Sequence, residues 1–331
     1  MLLTGASRGL GRYLAKRLAS LGCRLICWDI DESGLNSLKK KLGPSVLHVF
    51  QVVDVADAAE INEAFEKSPV RSVDIVIANA GVVNGKSISH LDLEQYERTI
   101  HVNLFQHFHL FKLLQPTWNT PPSESSSLPS SPISASTEPH TSTKSRTTAS
   151  SPSKANKAAI TSSTLPPTFV MISSVCGLMA LTQLSDYCAS KFGVVGLAEG
   201  MRLDLRRERS PINTLLVMPF LINTKMFSGI SVRAPASWFL SPLDKSQVAE
   251  RIIEGIRSKR QWLVLPWILH FAPLLLLLPI SIRNILYDLI GESTYMDAFK
   301  GNRKTPTEAR RMDSILSAPL PESRLKLKRK W

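Results

Sequence analysis

The sequence predicts an α/β fold, a doubly wound parallel sheet formed by a single domain with a disordered insertion. Three observations predict it. Short apolar runs alternate with helical patterns along the first third of the chain. A glycine-rich turn joins the first run to the first helix. The same alternation resumes after a long Ser/Thr/Pro-rich interruption. Strands that alternate with helices pair in parallel and carry helices on both faces of the sheet.

Leu2-Leu3 opens the pattern, followed by the turn Thr4-Gly5-Ala6-Ser7-Arg8-Gly9-Leu10-Gly11 and a helix over residues 10–21. Only Met1, Leu2 and Leu3 precede Thr4. A first strand so much shorter than the usual length predicts a chain that has lost part of this strand and whatever came before it. Residues 24–28, 46–53 and 73–78 read as further strands, with a helix over 58–67 and a core element over 102–114. The pattern stops at Pro116. Residues 117–167 are mostly Ser, Thr and Pro with hardly an apolar cluster, and cannot bury enough surface to offset their ordering entropy. They are expected to be a disordered insertion, which the fold tolerates because loop-closure cost grows slowly with length. Residues 1–116 and 168–266 are then two parts of one domain. The second part holds strands at 169–172, 213–218 and 262–265 and helices at 187–208 and 247–259.

Residues 267–300 differ in kind. The stretch 267–285 is apolar, with leucines uninterrupted from Leu274 to Leu278, but Pro266, Pro273, Pro279 and His270 interrupt it. A membrane span needs about 20 apolar residues, and the prolines cut this one into short pieces. A membrane-surface or substrate-entrance element is expected in place of a span, with a buried helix pair closing the core as the alternative. Residues 301–331 form a basic tail.

The formal net charge is +13, and much of it lies late, in Lys300, Arg303, Lys304, Arg310, Arg311 and the run 324–330. Such a tail meets an anionic membrane surface or is simply a solvated end. Nothing in the chain resembles a nucleic-acid module, so that partner is not expected. The four cysteines, Cys23, Cys27, Cys176 and Cys188, show no completed metal-ligand spacing. No metal is expected, and a reduced, cytosol-facing compartment fits.

The glycine turn lies between a strand and a helix, where glycines let backbone N–H groups approach a pyrophosphate at a helix N-terminus. Gly5, Ser7, Arg8, Gly9, Leu10 and Gly11 are therefore candidate cofactor contacts. Asp29 follows Gly11 by 18 residues, at the end of the next strand. A carboxylate there accepts from the adenosine ribose hydroxyls and repels a 2′-phosphate, which favours NAD. Arg8 pulls toward NADP, since a guanidinium pairs with that phosphate.

Tyr187 and Lys191 stand four residues apart, on one face of a helix, and Ser174 precedes Tyr187 by 13 residues at the end of a strand. With these residues the chain resembles the short-chain dehydrogenase/reductase family. The resemblance covers nearly the whole chain outside the insertion and tail. It rests on the glycine turn, Asp54, Asn79-Ala80-Gly81, Asn103, Ser174, Tyr187, Lys191 and the segment from Pro219 to Thr224.

The resemblance implies a Rossmann-type sheet and a role for each residue. Tyr187 is the general acid/base, Lys191 lowers its pKa and holds the nicotinamide ribose, and Ser174 polarises the reacting oxygen. Ser174 and Tyr187 thus also bind substrate. Asn103 supports a water and proton relay. Asp54 and Val55 lie near the adenine, Asn79, Ala80 and Gly81 line the cofactor, and Pro219, Ile222 and Thr224 approach the nicotinamide. Two departures stand out: Ala78 replaces the first asparagine of the family motif, and Phe220 replaces a glycine beside the nicotinamide.

Within the family, Trp28-Asp29-Ile30, Tyr187 to Phe192 and Asn223 to Phe227 resemble the membrane-associated retinol and hydroxysteroid dehydrogenases. That implies a retinoid, steroid or long-chain alcohol as substrate, under a cap formed by residues 223–242. It also implies attachment to a cytosol-facing endoplasmic reticulum membrane or lipid droplet, and a homodimer through the helices around Val102 and Tyr187. Two other readings stay open. One is a catalytically impaired NAD-binding protein of a membrane or lipid-droplet surface. The other is a soluble, cytoplasmic reductase of small carbonyls or acyl intermediates.

Overall fold

The computed structural model describes residues 1–43, 48–70, 72–119, 165–230, 240–290, 295–296 and 298–300. Within them, seven strands pair in parallel in the order β3-β2-β1-β4-β5-β6-β7. They are β1 (Leu2–Thr4), β2 (Leu25–Asp29), β3 (His48–Val52), β4 (Ile75–Ala78), β5 (Thr168–Ile172), β6 (Asn213–Pro219) and β7 (Trp262–Leu265). Side chains alternate between the two faces of each strand. Leu2, Val76, Ala78, Phe169, Met171, Leu216 and Met218 enter one core. Leu3, Ile75, Ile77, Val170, Ile172, Leu215 and Val217 enter the other.

Helices cover both cores. On one face lie α3 (Ala58–Glu66), α5 (Gln106–Asn119) and α6 (Ser185–Arg207). On the other lie α1 (Gly9–Ser20), α2 (Glu32–Leu42) and α7 (Lys245–Arg257). The doubly wound sheet is therefore as expected. Its strand order reverses between β1 and β4, which opens a crevice at the carboxyl ends of those strands. Although only three residues long, β1 is paired on both sides, with Leu2 opposite both Ile26 and Val76.

Several boundaries needed correction. The core element at 102–114 is the middle of a longer assembly: α4 (Leu93–Ile100), a π-helical turn (His101–Phe105) and α5. Nor does the helix stop at Pro116, for α5 continues to Asn119. Trp118 drives the extension. It is buried edge-on against Phe111 and Phe169, and its indole N–H donates to the Val73 carbonyl. Residues 120–164 of the expected insertion, residues 46–47 of the third strand and the tail after Lys300 lie outside the described residues.

Beyond β7 the chain forms a 3-10 helix (Trp267–Leu277) and then α8 (Ile280–Ile290), with Pro279 between them. No helix among the described residues is long and apolar enough to cross a membrane. The alternative of a fully buried helix pair does not hold. Leu269 and Ala272 are buried, and Leu275 and Tyr287 lean on the same core. Trp267, Phe271, Leu274, Leu277, Ile280 and Ile285 are each more than half exposed.

Candidate active site

The turn between β1 and α1 is built for a close approach. Gly5 has φ +67° and Gly9 φ +56°, backbone that side chains rarely adopt. A Cβ on Gly11 would stand 2.0 Å from the Gly5 carbonyl oxygen. Thr4 ties the turn to β4, its hydroxyl accepting from the N–H groups of Asn79 (3.0 Å) and Ala80 (2.9 Å) and donating to Gln106 Oε1 (3.0 Å). No side chain caps α1 at Arg8, and its first turn carries no acidic residue. The helix start therefore presents backbone donors to an anion, which fits a dinucleotide pyrophosphate.

Beside the glycine turn the crevice is acidic. Asp29 Oδ2 accepts from the Ser7 N–H (2.8 Å) and Oδ1 from the Asp31 N–H (2.9 Å), so the carboxylate is fixed at the crevice. Arg8 is paired with Asp31 at 2.8 Å. The cation that pulls toward NADP is thus already held by a carboxylate. Asp54 is buried and receives Arg98 Nη1 at 2.7 Å, which orients it from α4.

At the far end of the crevice, β5 and α6 bring Ser174, Tyr187 and Lys191 together. Lys191 Nζ lies 5.5 Å from the centre of the Tyr187 ring and donates to the Ile172 carbonyl at 2.9 Å. The Ser174 hydroxyl is hydrogen-bonded to the Tyr187 phenol and accepts from the Cys176 N–H at 3.2 Å. Burial pushes the Tyr187 phenol well above its ordinary pKa and pulls the Lys191 ammonium down to about 8. Beside them the Cys176 thiol, hydrogen-bonded to Cys188 and buried, is raised too.

Asn103 sits in the π-helical turn between α4 and α5, fully buried. Its amide accepts from the Val82 N–H (2.8 Å) and donates to the Val82 carbonyl (2.9 Å) and Ser190 Oγ (3.1 Å). The side chain therefore clamps the segment after β4 against α6. A cleft of about 840 Å³ runs along the crevice. Gly5, Ser7, Arg8, Gly9, Leu10, Gly11, Asp29, Asp54, Val55, Asn79, Ala80, Gly81, Ser174, Tyr187, Lys191, Pro219, Ile222 and Thr224 all line it, and Asn103 does not.

Phe220 itself lines this cleft while also leaning on the core. The non-glycine residues with positive φ among those described, Gln183, Arg209 and Lys259, lie elsewhere. Sequence reasoning missed Asp31, Arg98 and Asp186. Asp186 is fully buried, its Oδ2 accepting from Thr99 Oγ1 (2.8 Å) and Asn84 Nδ2 (2.7 Å), and it anchors the start of α6 beside Tyr187. Its one signal was a carboxylate next to the key tyrosine in a helix otherwise facing the core. Among the described residues no group of His, Cys, Asp and Glu side chains is arranged to hold a metal.

Comparison with known proteins agrees with this geometry. The family model for short chain dehydrogenase matches residues 1–125 and 167–233. Epidermal retinol dehydrogenase 2 of Mus musculus is 29% identical, with 92% of this chain and 86% of that protein covered. Short-chain dehydrogenase/reductase family 16C member 6 of Bos taurus is 30% identical, with 82% and 73% covered. A short-chain dehydrogenase from Sphingobium yanoikuyae, solved in complex with NADPH, shares the fold. It has a TM-score of 0.60 at 21% identity, covering 87% of this chain and 94% of that one.

Proposed function

The chain belongs to the short chain dehydrogenases, and from that premise we propose that it interconverts an alcohol and its carbonyl on a lipid-like substrate, with NAD as the preferred cofactor. It is an oxidoreductase of CH–OH groups that uses NAD(P). The observation that carries the finer reading is the buried cluster of Ser174, Tyr187 and Lys191 at the end of a cleft whose other end holds the glycine turn and Asp29.

When bound, the dinucleotide supplies the hydride acceptor or donor; the backbone donors of the glycine turn, Asp29, Asn79, Lys191, Ile222 and Thr224 would hold it. Ser174 donates a hydrogen bond to the reacting oxygen and so stabilises its negative charge. Tyr187 delivers a proton to that oxygen during reduction and withdraws one during oxidation. Burial keeps the phenol protonated, which suits the first direction; in the second, a positive charge beside the phenol, from Lys191 and an oxidised nicotinamide, would favour the phenolate. Asn103, through Val82 and Ser190, keeps α6 in register with the segment after β4.

Asp29 and Asp31 support NAD over NADP, because two carboxylates at the adenosine end repel a 2′-phosphate. A retinoid, steroid or long-chain alcohol is the substrate class that the apolar surroundings of Tyr187 suit, and the murine relative carries retinol in its name. Exposed apolar side chains on the 3-10 helix and α8 suit docking on a membrane or lipid-droplet surface facing the cytosol. Phe105, Phe108 and Phe192, exposed on the π-helical turn, α5 and α6, suit pairing with a second copy.

The test is reduction of NAD and NADP, followed by the absorbance of the reduced cofactor, with retinol, a steroid alcohol and a fatty alcohol presented in micelles. Turnover of one lipid class with NAD is the expected result. Tight NAD binding without turnover of any alcohol would overturn the catalytic reading in favour of a binding protein of a lipid surface.

A further inference from the structure

Tyr187 meets two environments. One side adjoins Lys191 and the cofactor cleft. The other is an apolar cluster in which Tyr187 is buried with Cys176, Leu184, Cys188 and Met296. Met296 arrives from far along the chain, in the short stretch after α8, and is only 3% exposed.

That stretch is held at two points. The Phe299 ring lies so close over Gly85 that a Cβ there would stand 2.2 Å from its carbons and 3.1 Å from Met296 Cε. At Gly229, with φ +91°, a Cβ would stand 1.9 Å from the Ala298 carbonyl oxygen, and the Lys300 N–H donates to the Ser228 carbonyl at 2.9 Å. Gly85 follows β4 and Gly229 follows β6. The stretch therefore bridges the two loops on either side of Tyr187, and both glycines are needed where it crosses. Phe227, from the second loop, meets the Tyr187 ring edge-on at 5.9 Å between centroids.

We propose that Met296 and Phe299 determine substrate specificity, as the wall of the substrate site opposite the cofactor cleft, and set the bulk accepted next to the reacting carbon. This rests on the alcohol-dehydrogenase reading above. The reacting oxygen must lie within hydrogen-bonding reach of both Ser174 and Tyr187. With the cofactor on the glycine side, the substituents of the carbinol extend away from it, toward Met296, Phe299 and Phe227. These side chains bring no charge to that wall, so it accepts hydrocarbon. Methionine is unbranched and adapts its shape, so truncating it enlarges the site without removing a polar contact.

The experiment compares kcat/KM for 2-butanol, cyclohexanol and a four-ring steroid alcohol in the wild type, Met296→Ala, Met296→Leu and Phe299→Ala. The ratio of the bulky to the small substrate is expected to rise about tenfold or more in the two alanine variants, the range that one or two methylenes command in an apolar pocket. Met296→Leu is expected to keep the wild-type ratio, and the KM for NAD should not move in any of them. An equal fall for every alcohol, with the ratio unchanged, would overturn the proposal. Should Met296→Ala not fold, Met296→Val and Phe299→Leu carry the same comparison.

If the wild type turns over no alcohol, the catalytic reading fails on that arm alone, and the wall is read instead from thiol accessibility. Cys176 and Cys188 lie beneath Met296 and are buried. Their alkylation by a maleimide should then accelerate about tenfold or more in folded Met296→Ala, since opening a cavity exposes its lining. An unchanged rate would overturn the wall independently.

Discussion

Lys191 Nζ lies 5.5 Å from the centre of the Tyr187 ring, and both groups are buried. Burial moves their pKa values apart, the phenol upward and the ammonium down to about 8. Each alone would rather be neutral. As a pair they partly offset that cost, because the ammonium favours the phenolate and the phenolate favours the ammonium. The phenol therefore holds its proton near neutral pH, and the ammonium beside it favours the phenolate once that proton leaves.

Replacing Tyr187 with Phe removes this proton and keeps the ring. The edge contact with Phe227 and the apolar surroundings survive. The variant is expected to lose turnover by about a thousandfold or more, within the range general acid–base groups supply. NAD affinity, measured by quenching of intrinsic fluorescence, should stay within about threefold of the wild type, because one hydrogen bond at most is lost. Retained turnover would remove Tyr187 from the chemistry.

Lys191→Met tests the cost of the buried ammonium through stability. Lys191 has a pKa of about 8 in the folded chain against 10.5 as the ordinary value. Between those values the unfolded chain binds a proton that the folded chain does not, so wild-type stability gains as pH rises through this window. Below pH 8 the whole penalty, on the order of a few kcal/mol, is in place. The methionine variant is thus expected to melt above the wild type at pH 6, and the difference should shrink toward pH 10. A pH-independent difference would contradict the shift.

Asp29→Ala is expected to lower the preference for NAD over NADP by about tenfold or more, as repulsion of the 2′-phosphate is removed. The same carboxylate holds the N–H groups of Ser7 and Asp31. A loss of stability of about 1–3 kcal/mol accompanies the change, for two backbone donors lose their acceptor. The ratio of kcat/KM for the two cofactors separates the effects, since instability lowers both alike. An unchanged ratio would show that Asp29 does not face the ribose.

The sheet and the juxtaposition of Tyr187 and Lys191 were legible because both leave local signals. Strand runs such as residues 169–172 are continuously apolar, and Tyr187 and Lys191 stand one helical turn apart. Helix α4 left no such trace, since Thr99 is the single buried residue in it, and α2 buries only Leu35 and Leu38 among three lysines. Asp186 and Arg98 gain their roles through contacts spanning 102, 87 and 44 residues, which no local pattern encodes. Pro116 misled because proline usually ends a helix, yet tertiary packing of Trp118 carries α5 past it.

Trp118→Ala is accordingly expected to destabilise the protein by about 3–5 kcal/mol, the usual cost of emptying a large aromatic site. The indole fills the space between Phe111 and Phe169, at centroid distances of 6.3 and 6.4 Å. Urea unfolding measures the loss. A change below about 1 kcal/mol would mean that α5 stops contributing to the core at Pro116, as surface substitutions typically cost less than that.

The exposed face of the 3-10 helix and α8 makes the lipid-surface reading testable apart from catalysis. Trp267, Phe271, Leu277 and Ile285 are 68%, 56%, 80% and 65% exposed. Burying side chains of this size gains roughly 25 cal/mol per Å², enough for several together to hold a protein on a bilayer. Arg283, on α8 between the exposed Ile282 and Ile285, would add attraction to anionic headgroups, which salt screens. The full chain is expected to float with vesicles containing phosphatidylserine, more at low salt than at high. The double variant Phe271→Glu, Leu277→Glu should lower the bound fraction about tenfold or more, because each places a charge where hydrocarbon is met. Turnover of a short, water-soluble alcohol should not change, as neither residue lines the cleft. If the double variant floats as well as the wild type, this face is not what holds the lipid surface.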